Sequence, residues 1–147
     1  YDEVRSFKKT AGKTKIKAIL GVGDLETLRN VAKASLVCMM AGADFIKTST
    51  GKESTNANLN NSLVMLRMIR DFYNFTGKKI GFKPAGGIST SKSVLEFLIL
   101  VAEELGFEWV NPKLLRIGAS SLLIDIERQL YHFTSGRYAN KEKLAIS

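Results

Sequence analysis

The sequence has little of what several protein classes require. Its 147 residues contain one cysteine, which excludes an internal disulfide, and one histidine, which leaves no cysteine–histidine zinc cluster. Hydrophobic runs without a charge, such as Leu36–Ala43 and Phe97–Ala102, are far shorter than the ~20 residues that a membrane span requires. The charged segment Tyr1–Lys9 lacks the apolar core of a signal peptide. We therefore expect a soluble, cytoplasmic protein of a reducing compartment, with no membrane partner and no metal.

What is present suffices for one folded core. A hydrophobic fraction of 45% and a length of 147 residues predict a single domain over residues 1–147, with a partly ordered tail at 137–147. The chain has 22 basic and 14 acidic residues, for a net charge of +8. This balance is typical of nucleic-acid binders, of sites for phosphorylated small molecules, or of a solvated basic surface. The positions of the cations must decide among the three.

Strand and helix patterns alternate four times along the chain. The predicted strands are Lys15–Leu20, Phe45–Thr48, Ile80–Lys83 and Leu114–Ile117. The predicted helices run from a cap at Asp24 to Gly42, from about Leu59 to Gly77, from Ser89 or Thr90 to Gly106, and from Ser120 or Ser121 to Gly136, the last with the apolar stripe Leu123, Ile126, Leu130 and Phe133. Repeated βα units indicate an α/β fold with a parallel sheet.

Each predicted strand contains a cation, although buried parallel strands are normally rich in Val, Ile and Leu. The four cations are Lys17, Lys47, Lys83 and Arg116. Any one of them is compatible with a rim position that reaches solvent. If Lys47 and Lys83 share one face, however, repulsion and burial favour loss of a proton from one ammonium far below its ordinary pKa of ~10.4. A neutral amine attacks carbonyl carbons, which is the requirement for a Schiff base.

Turns rich in glycine and hydroxyl groups follow three of these strands. They are Thr48–Lys52, Pro84–Gly87 and Gly118–Ser121. Backbone amides, hydroxyls and a helix N-terminus are the groups that hold phosphate, although a single glycine is more often only a turn residue. A P-loop is excluded because Ile46 stands where its first glycine is needed, and Glu26 breaks a dinucleotide-binding fingerprint.

Three stretches closely resemble the deoxyribose-phosphate aldolase family: Asp44–Lys52, Gly81–Gly87 and Arg116–Ser121. The similarity runs from about Lys15 to Tyr138. It implies a class I, Schiff-base aldolase on a TIM (β/α)8 barrel that needs no metal or other cofactor. Its substrate would be a phosphorylated sugar: 2-deoxy-D-ribose 5-phosphate is reversibly cleaved to acetaldehyde and D-glyceraldehyde 3-phosphate, in deoxyribonucleotide and carbohydrate catabolism.

The resemblance also implies roles for individual residues. Lys47 matches the Schiff-base lysine, Lys83 matches the second lysine whose charge favours the neutral amine, and Lys17 matches a further active-site lysine. The positions matching substrate and phosphate contacts are Thr48, Gly51, Lys52, Gly86, Gly87, Gly118, Ser120 and Ser121.

The chain departs from the family pattern in several places. It holds about four of eight βα units, and the proton-relay aspartate would lie upstream of Tyr1. Ser89 stands where bacterial members often carry a phosphate-contacting arginine, and the sequence ends in serine where they can carry a catalytic tyrosine. Four strands cannot close a barrel, so we expect a C-terminal half that is at most weakly active alone and that pairs with an N-terminal half-barrel or with another copy.

Three other functions remain open at this stage. One is another Schiff-base aldolase that acts on a sugar phosphate. Another is a catalytically silent, phosphate-binding half-barrel, because half of the site is missing. Nucleic-acid binding ranks third, and no nucleic-acid partner is expected, because the most informative cations lie in strands and not in a basic stripe with exposed aromatics.

Overall fold

The computed structural model describes residues 1–140 and 144–145. The elements in chain order are α1 (Asp2–Ala11), β1 (Lys17–Ile19), α2 (Leu28–Met40), β2 (Phe45–Lys47), α3 (Leu59–Thr76), β3 (Gly81–Lys83), α4 (Ser91–Leu105) and α5 (Leu122–Ser135), with a 3-10 turn at Phe107–Trp109. Of the predicted tail, residues 141–143 and 146–147 lie outside the described residues. No described helix is long and apolar enough to cross a bilayer.

The three strands form a parallel sheet in the order β1-β2-β3. The predicted fourth strand at 114–117 is only partly realised, as two parallel bridges that join Leu115 to Phe82 and Gly118 to Ala85. The carbonyl of Asn111 accepts the amides of Leu114 and Leu115, so the segment enters the sheet from a turn. It nevertheless extends the sheet beyond β3 in the predicted order.

Side-chain caps set the starts of three helices. Thr27 accepts a hydrogen bond from the Asn30 amide at 3.2 Å and caps α2, so the predicted cap at Asp24 is wrong by three residues. The Asp24 amide instead closes a turn onto the Gly21 carbonyl. Asn58 caps α3, and Thr90 caps α4 as one of the two predicted alternatives.

Helix α1 was not predicted from the sequence, which is highly charged there. Its Lys8 Nζ lies 2.7 Å from the Asp44 carboxylate, which also accepts the Ile16 amide at 3.0 Å. This carboxylate joins α1 to the starts of β1 and β2.

The core lies between one face of the sheet and helices α2, α3 and α4. Ile46 and Phe82 point to this face and are fully buried, as are Val31, Met65 and Val101 from the helices. The buried Trp109 lies at the start of β3, where its Nε1 donates to the Ile80 carbonyl at 3.0 Å. Burial on one face only leaves the opposite face of the sheet free for polar groups.

The predicted apolar stripe of α5 is present but largely exposed. Leu123, Leu130 and Phe133 are 60%, 61% and 88% exposed, whereas Leu122 is buried. Helical periodicity was read correctly, but no element of the described chain packs over this stripe.

Candidate active site

Four cations share the face of the sheet that the helices leave open. Lys47 pairs directly with Lys83, and Lys17 lies two residues before Ile19, which pairs with Lys47. Paired residues, and residues two apart in a strand, point the same way. Arg116 follows Leu115, which bridges the inward-facing Phe82, and therefore also lies on the open face. The common orientation on which the sequence argument depended is thus present.

The clustering lowers the pKa of one amine in particular. Burial lowers the pKa of Lys83, and the positive charges of Lys17, Lys47 and Arg116 lower it further. Each charge disfavours protonation of its neighbour. Lys83 therefore gives up its proton more readily than an ordinary lysine.

An aromatic ring forms the floor beneath the cations. Phe45 lies on the open face yet is only 2% exposed, with the Arg116 guanidinium 4.6 Å and Lys15 Nζ 6.0 Å from its ring centroid. The ring fills the space where a Cβ at Gly81 would stand. The lysine row therefore rests on an apolar layer.

A shared backbone carbonyl joins the turns that follow β2 and β3. The Thr48 hydroxyl donates to the Ala85 carbonyl at 3.1 Å and accepts the Ala85 amide at 3.0 Å. The Ser49 hydroxyl donates to the same carbonyl at 2.6 Å, and the Ala57 amide does so at 3.2 Å. Thr48 is fully buried and does not line the cavity described below. Its predicted contact with substrate stays a prediction, while its hydroxyl holds the turns in register.

A cavity of about 490 Å³ opens where the three predicted turns meet. Lys47 lines it beside the predicted residues Gly51, Lys52, Gly86, Gly87, Gly118, Ser120 and Ser121. Lys17 and Lys83 are not part of its lining. The structure thus brings one lysine of the row to the cavity and leaves the others behind it.

The backbone around the cavity has two features that favour binding of an anion. Gly51, Gly86 and Gly87 have φ values of 97°, 92° and 76°, which other residues rarely adopt. Helix α5 begins after Ser121 without a side-chain cap, unlike α2, α3 and α4. Its first amides are therefore not occupied by a capping side chain at the cavity's edge.

Sequence reasoning missed the side chains that support this cavity. Glu53 and Asn56 hydrogen-bond within the turn after Lys52 and connect it to Ser49. Asp125 of α5 accepts the Ser91 amide and hydroxyl, both at 2.7 Å, and thus joins the first turns of α4 and α5. Hydrogen bonds from Ser91 lower the pKa of Asp125. Such supporting residues carry no motif, since their partners are 3 to 34 positions away in the sequence.

Groups of side chains able to hold a metal ion are absent from the described part of the chain.

Comparison with known sequences gives a consistent result. A profile of the DeoC/LacD family of aldolases matches residues 1–123. The human deoxyribose-phosphate aldolase is 60% identical over all 147 residues, which cover 46% of that protein, and the mouse enzyme is 61% identical over the same share. The chain thus spans about half the length of the curated relatives it matches.

Solved structures show the same partial coverage. The apo form of a Toxoplasma gondii protein, provisionally assigned as a deoxyribose-phosphate aldolase, aligns with a TM-score of 0.79 and 25% identity over 88% of this chain and 50% of that one. A structure described as QR15, an aldolase, aligns with a TM-score of 0.63 over 90% of this chain and 51% of that one, also at 25% identity. The architecture is that of a partial TIM barrel.

Proposed function

The chain belongs to the DeoC/LacD family of aldolases, and from this premise we propose that it is the Schiff-base-forming half of a deoxyribose-phosphate aldolase. The reaction is the reversible cleavage of 2-deoxy-D-ribose 5-phosphate to acetaldehyde and D-glyceraldehyde 3-phosphate. The observation that carries the proposal is the place of Lys47, which ends a strand, pairs with Lys83 and lines the cavity. The identity to named aldolases over the full chain supports the same reaction.

In the proposed mechanism, the neutral amine of Lys47 attacks the aldehyde carbon of the open-chain sugar. Uptake of a proton and loss of water give an iminium ion, which draws the electrons of the C2–C3 bond as the C3 hydroxyl loses its proton. D-glyceraldehyde 3-phosphate leaves, and an enamine remains on Lys47. Protonation at C2 and addition of water then release acetaldehyde and restore the amine.

Lys83 serves this mechanism through electrostatics and proton exchange. It lies opposite Lys47 in the sheet register, and its lowered pKa makes it easier to deprotonate than an ordinary lysine. An amine that gives up its proton readily can exchange protons with the groups that react at Lys47. Lys17, whose positive charge lowers the pKa of Lys83, extends the charged row away from the cavity.

We assign the phosphate group to the glycine-rich turns that line the cavity. Gly86, Gly87 and Gly118–Ser121 supply backbone amides and hydroxyls, and Lys52 supplies charge. Binding energy at this remote group positions the reacting carbon, so unphosphorylated deoxyribose should have a much lower kcat/KM. Equal kcat/KM values for the two sugars would refute the site.

Borohydride trapping tests the central step. Reduction in the presence of acetaldehyde should add one ethyl group to Lys47, detectable as an intact-mass increase and mapped by peptide digestion. Lys47→Arg keeps the charge but removes the nucleophile, and Lys92→Arg on the exposed surface of α4 is the matched control. An adduct on Lys83 with Lys47 unmodified would transfer the role between the two lysines. No adduct at all would favour a silent, phosphate-binding scaffold.

We propose that this chain acts in the cytoplasm together with an N-terminal half-barrel that completes the sheet. The sheet ends at β1 on one side and at the short bridge segment on the other, and the cation face has no described helix over it. Substrate comparison separates this function from another sugar-phosphate aldolase, because only deoxyribose phosphate should yield acetaldehyde.

A further inference from the structure

A short turn beside the cavity is closed by a single carboxylate. Glu53 Oε1 accepts hydrogen bonds from the Thr50 amide at 2.8 Å and from the Thr50 hydroxyl at 2.9 Å. The same hydroxyl accepts the Lys52 amide at 3.3 Å. These three bonds enclose Gly51, whose φ of 97° requires glycine. The turn that presents Lys52 is therefore shaped by Glu53.

A second set of contacts fixes this turn to the rest of the site. The Asn56 side chain donates to the Glu53 carbonyl at 2.7 Å, and its Oδ1 lies 3.0 Å from the Ser49 hydroxyl, whose one proton it shares with the Ala85 carbonyl. It also fills the space that a Cβ at Gly86 would occupy. The Glu53 turn is thus joined to both glycine-rich turns and cannot shift without disturbing them.

The second carboxylate oxygen of Glu53 lies where a negative charge is unfavourable. Glu53 Oε2 is buried without a hydrogen-bond partner, and none of the described cations lies within ion-pair distance of it. A buried, unpaired oxygen carries a desolvation penalty, and a negative charge beside an anion site opposes the anion. What Glu53 contributes to an anion site is therefore geometry, through the acceptor Oε1.

Resting on the function proposed above, we propose that Glu53 is a positioning residue that pre-orders the Thr50–Lys52 turn for the phosphate group of the substrate. It acts through the hydrogen bonds that it accepts from Thr50 and not through its charge. Pre-ordering removes from the binding step the entropy cost of fixing a glycine-containing turn. Thr50 and Lys52 can then meet the phosphate without rearrangement.

Calorimetric titration with inorganic phosphate tests this role without reference to turnover. E53A should weaken phosphate binding about tenfold, because the turn loses both bonds to Thr50. E53Q keeps an acceptor in the same place and removes the opposing charge, so it should bind phosphate at least as tightly as the wild type. Glu103→Ala, at an exposed site on α4, is the matched control and should change nothing. Thr50→Val, which removes the hydroxyl partner from the other end, should weaken binding severalfold.

The outcomes separate this role from the function on which it rests. Borohydride trapping with acetaldehyde, which has no phosphate, should be the same in E53A and wild type, while KM for deoxyribose phosphate rises and kcat stays close. Equal phosphate affinity in E53A and wild type overturns the role of Glu53, and so does E53Q binding as weakly as E53A. A wild-type chain that binds no phosphate overturns it as well. A wild-type chain that binds phosphate but traps no acetaldehyde refutes the aldolase alone.

Discussion

Replacing Thr48 by valine is the sharpest test of how the site is held together. The two side chains have nearly the same shape, so the substitution replaces the hydroxyl by a methyl group of similar size. In the fold this hydroxyl donates to the Ala85 carbonyl and accepts the Ala85 amide, at 3.1 and 3.0 Å. Both Thr48 and Ala85 are buried, so water cannot replace the lost partner.

The expected cost comes mainly from the amide of Ala85. Its carbonyl keeps two other donors, the Ser49 hydroxyl and the Ala57 amide, and loses little. The Ala85 amide has its hydrogen bond to the Thr48 hydroxyl and would be left buried without an acceptor, which costs about 1–3 kcal/mol. We therefore expect Thr48→Val to lower the free energy of unfolding by about 2 kcal/mol, roughly thirtyfold in the folding equilibrium.

Urea denaturation followed by circular dichroism measures this change from the shift in midpoint at constant slope. Thr48→Ser keeps the hydroxyl and removes one buried methyl group, at a cost of about 1 kcal/mol. Thr10→Val is the matched control, because the exposed Thr10 hydroxyl donates only to a carbonyl of its own helix; it should change stability by less than about 0.5 kcal/mol. If Thr48→Val costs no more than Thr10→Val, the hydroxyl does not hold the two turns together.

Three further substitutions test other parts of the fold. Since the pKa of Lys83 is lowered in the fold, the folded chain binds fewer protons than the unfolded chain between that pKa and the ordinary value of ~10.4, so stability rises with pH across this window. Lys83→Met should raise Tm at pH 7 and flatten that rise; an unchanged slope would contradict the coupling. Gly81→Ala should cost about 2 kcal/mol in urea denaturation by pushing against Phe45, and Phe45→Leu should rescue part of it; no rescue would show that the ring is not the obstacle. Trp109→Phe should cost about 1–2 kcal/mol by leaving the Ile80 carbonyl without its donor, a loss that the shift in urea midpoint would reveal or exclude.

The strands and turns could be predicted because local signals and chemistry agree there. Phe45–Lys47 and Gly81–Lys83 are short apolar segments that end in a lysine and lead into glycine-rich turns, and both form strands at the predicted places. The positive φ of Gly86 and Gly87 fits the turn geometry that glycine permits. The repeated βα pattern predicted a parallel sheet, and the register of that sheet places Lys47 opposite Lys83 on one face.

The remaining features depend on contacts that no local pattern contains. A threonine at a strand end is equally suited to binding a ligand or bridging two turns, and the bridging role of Thr48 becomes visible only from the position of Ala85. Asp24 and Thr27 are both good caps, and only the structure shows that Thr27 accepts the Asn30 amide at the start of α2. Helix α1 was not predicted because its sequence is highly charged, and its contact with the sheet is made by Lys8 with Asp44, 36 residues away.

The exposed stripe of α5 and the open cation face have one physical cause. Helical periodicity specifies that Leu130 and Phe133 share a face, but burial of that face requires neighbours, and the chain spans about half of its relatives. Lys17, Lys47 and Lys83 are likewise only partly buried on the open face, where water weakens the repulsion between ammonium groups. A second half-barrel that closed the sheet would cover the apolar stripe of α5 and would exclude water from the three lysines. It would therefore change both the stability of the chain and the chemistry of the site. The lowered pKa of Lys83, already present in the open half, is the part of that chemistry that the chain carries by itself.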